Sequence, residues 1–203
     1  MESLNRPLDT GLLTQEMIFS DNQHKLNRND MKIDLERIKT HKQCTSNSCV
    51  PMSVELVLKL LKLMDQKDYS LQEDPAKVGN SNWVHPAFHY PIKDSKVSFH
   101  REFLLSDEGL PDHGQHFIRD HYCPLFDRID SELENDRYVI ISLKSGPNTT
   151  HNEVIFDKVR NGVYQTVTFY YNGDEPKIWE HQDLKQRVLE MEGTDIITYE
   201  FLK

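Results

Sequence analysis

Cys49, His151, Asn172 and Gln43 are the residues of this chain whose types and order suit one chemistry, the attack of a thiol on an amide carbonyl. Such a reaction needs a thiolate, an imidazole to pair with it and later deliver a proton, a side-chain carbonyl to orient that imidazole, and N–H donors for the oxyanion. Cys49 lies in Gln43-Cys44-Thr45-Ser46-Asn47-Ser48-Cys49-Val50-Pro51-Met52-Ser53, which runs into Val54-Glu55-Leu56-Val57-Leu58-Lys59-Leu60-Leu61. The placement puts a thiol at a helix start, where unpaired backbone N–H groups and the positive end of the macrodipole favour the thiolate. A free thiol near pKa 8.5 must be lowered by about two to three units for this work, which is roughly 3 to 4 kcal/mol of differential stabilisation. In this reading Cys49 is the nucleophile and His151 its partner. Asn172 orients His151, and the Gln43 amide shares the oxyanion with the Cys49 backbone N–H.

These residues have to be held by particular elements. Ser48 or Cys49 at the cap, Pro51 in the first turn and no further Gly or Pro before Met64 predict a helix of about four turns. Its apolar positions cover most of the circumference, leaving Glu55, Lys59 and Lys62 as one narrow polar stripe, the mark of a central buried helix. Residues 31–40 read as a short helix or extended segment, and residues 1–30 as a polar arm with an apolar anchor at Leu12, Leu13, Met17, Ile18 and Phe19. Residues 66–114 are rich in turn residues and aromatics and give no pattern. From Gln115 to Leu133 apolar residues recur every three or four positions, predicting a second helix with a kink or restart at Pro124, ended by Asn135-Asp136. Tyr138 to Leu143 has the composition of a central strand.

Residues 151–159 and 163–171 read as two strands joined by Asn161-Gly162, the pair that favours a two-residue type I′ turn. Counting outward from Arg160 opposite Val163 brings His151 opposite Asn172. A short strand near Ile178-Trp179, a helical stretch over 182–191 and a closing strand over 196–201 complete an α+β domain.

The set Gln43, Cys49, Pro51, Ser53 and the later His151 resembles the pattern of papain-like cysteine peptidases, especially the C39-like branch with its Gln…Cys-x-Pro-x-Ser signature, over roughly residues 31–180. The resemblance implies a papain-like fold over 31–203, with a central buried helix packed on an antiparallel sheet. It also implies hydrolysis of a peptide or side-chain amide through a thioester, on a peptide or protein substrate, with no metal or organic cofactor. Two departures bear on the site: Asn152-Glu153 follow His151 where an apolar strand is usual, and no Asp-Pro pair follows the hairpin. Asn172 and Asp174 therefore both stand as residues to orient His151. A non-catalytic protein-binding module and a protein glutamine deamidase or transamidase are the alternatives on the same fold.

Composition narrows the rest. The 203 residues suit one domain with a substantial core, and a formal net charge of −9 disfavours nucleic acid or an anionic membrane as partner. No apolar run approaches the ~20 residues of a membrane span, and the N-terminal residues carry no apolar signal core, so a cytoplasmic protein is expected. Three cysteines, Cys44, Cys49 and Cys123, are too few for a disulfide framework. His113, His116, His121 and Cys123 match no standard zinc spacing and read as a solvated helix face. His85 and His89, beside Trp83, are candidates to line a substrate cleft.

Overall fold

The structure is a computed structural model that describes residues 34–78, 90–92, 96–103, 114–146, 149–160, 162–171, 175–181, 184, 185, 188 and 195–202. The arm over 1–30, Trp83, His85, His89, Asn172 and Asp174 lie outside the described residues.

Helix α1, Leu35–Thr40, is started by Asp34, whose side chain accepts the Arg37 N–H. Helix α2, Cys49–Leu60, is buried at every position from Val50 to Leu60. It ends short of Met64 because Lys62 takes a left-handed conformation (φ 60°), which lets the Leu63 N–H reach back to the Leu58 carbonyl at 2.8 Å. Helix α3, Ser70–Glu73, is a single turn laid across α2. Helix α4 runs without interruption from Gly114 to Glu134, so Pro124 does not divide it; its ring is exposed to solvent, away from the sheet. The left-handed Asp136 (φ 57°) turns the chain into the sheet.

The strands are β1 (Tyr90–Ile92), β2 (Val97–Phe103), β3 (Val139–Gly146), β4 (Thr149–Arg160), β5 (Val163–Thr168), β6 (Lys177–His181) and β7 (Asp195–Phe201). They form one sheet in the order β1-β2-β7-β3-β4-β5-β6, with every pairing antiparallel. The domain is thus α+β. β1 and β2, in the stretch that gave no sequence pattern, extend the sheet beyond β7.

Because side chains alternate along a strand, the sheet has two distinct faces. Val97, Phe99, Ile140, Val154, Val167, Ile197 and Tyr199 join the apolar residues of α2 in one core. Val139, Ile141, Leu143, Ile155, Tyr164 and Ile196 join Leu125, Phe126 and Ile129 of α4 in a second core, which also takes in Leu184 and Val188 from the stretch expected to be helical. Among the described residues, no helix is long and apolar enough to cross a membrane.

Candidate functional site

Cys49 is the first residue of α2, with Ser48 at the cap position, and it packs half-buried against the first core. Its sulfur is met by the backbone N–H groups of Val50, Cys49 and Asn152 and by the charge of Arg101. Burial outweighs them and pushes the thiol above its ordinary value. Cys49 is therefore a neutral thiol at neutral pH. The helix start still favours the thiolate, but taking the sulfur out of water costs more than those N–H groups return.

His151 lies at the same end of the sheet, on the other face. The register sets it opposite Leu143, which belongs to the α4 core, while its neighbour Asn152 is opposite Ser142 on the α2 face. The imidazole Nε2 contacts Thr168 Oγ1, and the ring stacks on Tyr170 with centroids 5.3 Å apart and planes 3° apart. Phe169, between those two residues, points the opposite way into the α2 core. Thus the sheet itself separates the imidazole from the thiol.

The ladder register also differs from the one expected for the hairpin. Arg160 pairs with Val163 as the turn dictates, but irregularities between Lys158 and Arg160 and between Ile155 and Asp157 shift the ladder twice, so that Val154 pairs with Val167. Carried on to His151, this register reaches Tyr170 and not Asn172, in agreement with the ring stacking.

Gln43 is buried, but its amide is committed to the loop: Nε2 donates to the Thr45 carbonyl at 2.7 Å and the Ser46 carbonyl at 3.2 Å. It staples the turn that leads into Cys49 and has no N–H directed at an oxyanion there. Its Oε1 is buried without a hydrogen-bond partner.

What the structure does gather beside Cys49 is a polar chain on the α2 face. Arg101 is ion-paired to Asp195; Ser142 Oγ donates to Asp195 Oδ1 at 2.6 Å; and Asn152 Nδ2 donates to Ser142 Oγ at 2.9 Å. All four residues are buried, and Asn152 Oδ1 has no hydrogen-bond partner. The signal for Asn152 was in the sequence: it stands two residues before Val154 on the core side of the strand, a place where an apolar residue is the norm. Arg101 and Asp195 carried no such signal, since nothing local marks two charged residues as one buried pair.

The polar stripe of α2 is also buried. Glu55 and Lys59 are wholly inaccessible, because α3 and residues 41–44 lie over them. His41 Nε2 donates to the Met52 carbonyl at 2.9 Å and Nδ1 accepts from Lys59 Nζ at 3.2 Å. Burial and the Lys59 charge hold His41 down at about 3, so it is neutral. The Lys59 ammonium rests 3.7 Å from the centre of the Tyr69 ring.

Among the described residues, no group of three or more His, Cys, Asp or Glu is placed to hold a metal ion. The side chains of His116, His121 and Cys123 lie outside the described residues. No protein-family model matches the chain, and no curated protein sequence does.

Proposed function

We propose that the chain is a papain-like domain of the C39-like kind that works as a non-catalytic protein-binding module. One observation carries this reading: the Cys49 thiol and the His151 imidazole lie on opposite faces of the sheet. A thiol with no imidazole beside it among the described residues, raised by burial above its ordinary value, attacks amides slowly at neutral pH. The commitment of the Gln43 amide to Thr45 and Ser46 supports the same reading, since it removes a side-chain donor from the oxyanion position. The partner is a peptide or protein, and the net charge of −9 favours a basic one at long range.

Cysteine hydrolysis, or the related deamidation of a partner glutamine, is the second reading. It is favoured by Cys49 standing at the first position of a buried helix with three backbone N–H groups at its sulfur. The rate of Cys49 alkylation by iodoacetamide against pH, located by mass spectrometry in wild type and His151→Ala, separates the two. The binding module gives a midpoint at or above that of a free thiol, unchanged by the substitution. A midpoint well below 8 that is lost in His151→Ala would establish a thiolate–imidazolium pair and the hydrolase.

A further inference from the structure

We propose that Glu55 and Gln72 form a proton-gated clasp that holds the 42–48 loop, and with it the approach to Cys49, in place when Glu55 is ionised and releases it when Glu55 is neutral. The inference does not depend on whether Cys49 reacts. Glu55 Oε1 accepts the Leu71 and Gln72 backbone N–H groups at 2.8 and 3.0 Å, and Oε2 accepts Gln72 Nε2 at 2.7 Å. The same Gln72 amide holds the loop: Nε2 also donates to the Lys42 carbonyl at 3.0 Å, and Oε1 accepts the Cys44 N–H at 2.8 Å. Ser48 Oγ, at the cap of α2, lies 2.8 Å from that oxygen and 2.9 Å from the Thr45 carbonyl, its one proton serving either.

Three N–H groups aimed at one carboxyl favour the carboxylate, which accepts on both oxygens and has no proton to place. A proton on the Oε2 lone pair that Gln72 now fills would meet the NH2, donor against donor, and on the other lone pair it would find no acceptor among the described residues. Turning the Gln72 amide over lets its carbonyl accept that proton, but then an NH2 group faces the Cys44 N–H and the Lys42 carbonyl loses its donor. Gln72 can therefore satisfy the neutral acid or the loop, and not both, which makes the arrangement two-state.

The charges around Glu55 come from each element packed on it: Lys59 one turn along α2, Cys44 in the loop, and Tyr69 ahead of α3. Lys59 in turn faces His41, Asp65 and Asp68. Burial lifts the Glu55 carboxyl to about 7, against the opposing effects of Gln72, Lys59 and Leu71, so the switch falls in the physiological range.

The test is the amide exchange protection factor of Cys44, measured by NMR on the full chain from pH 8 to 5.5. Wild type should lose protection about fivefold as the pH falls through about 7, the effect of one hydrogen bond. Glu55→Gln, which cannot ionise, should show no step. If that variant does not fold, Gln72→Ala serves instead, with low protection at every pH. A flat wild-type profile, or a step that persists in either variant, overturns the proposal.

Discussion

Removing the Asp195 carboxylate should be among the most damaging single changes in the domain, because it breaks a buried ion pair from one side. In Asp195→Ala the Arg101 guanidinium, 8% exposed, loses its carboxylate, and Ser142 Oγ, fully buried, loses its acceptor. Breaking a buried pair from one side costs about 3–5 kcal/mol. At about 2–4 °C per kcal/mol for a chain of this size, the melting temperature should fall by roughly 10 °C. Urea unfolding followed by circular dichroism measures the loss directly. Replacing both partners with apolar residues of similar size, Arg101→Met with Asp195→Leu, should restore most of it, since the buried charge goes with its partner. A loss below about 1 kcal/mol for the single variant, or a double variant worse than the single, would mean that the two charges do not meet out of water.

Three further outcomes follow from local geometry. Gly162→Ala should cost about 1 kcal/mol in the same unfolding assay, entirely from its φ of +77°, because no atom lies within 4 Å of the added Cβ. Glu102 is held down at about 2 by His100 and Arg128 against the effect of burial, so its contribution is present above about 4.5 and fades as the pH falls toward 2; Glu102→Gln should flatten the stability profile across that window. The His41 ring proton shifts in NMR spectra should stay constant from pH 8 to 4, since the neutral ring titrates at about 3, whereas a solvent-exposed His41 would show a midpoint near 6.5.

The elements legible in the sequence were those whose pattern is local. The apolar circumference of α2, the β-type run of β3 and the Arg160–Val163 pairing that closes the β4–β5 hairpin each follow from neighbours within a few residues, and each stands where its pattern indicates. What failed depended on partners far along the chain. Glu55 and Lys59 read only as part of a narrow polar stripe, because nothing within the helix announces that α3 and His41 will cover them with hydrogen-bond donors and acceptors. In the hairpin, the turn fixed the pairing only at Arg160 and Val163; two irregularities, which no residue type signals, shift the ladder so that Val154 pairs with Val167, and the His151 ring stacks on Tyr170. β2 was hidden because its sequence Val-Ser-Phe-His-Arg-Glu-Phe carries charge toward both faces, held by Asp195 on one and by Arg128 on the other. The spacing of Cys49 and His151 likewise gave their order along the chain but not the sheet face each would occupy, and the face is what decides whether they can react.

The separation of Cys49 and His151 by the sheet is open to measurement through nuclear Overhauser contacts from the His151 ring. Cross-peaks should run from the ring protons to the Thr168 methyl and the Tyr170 ring, and none to the Cys49 β-protons. Cross-peaks to Cys49 in place of Thr168 would put thiol and imidazole on one face and contradict it.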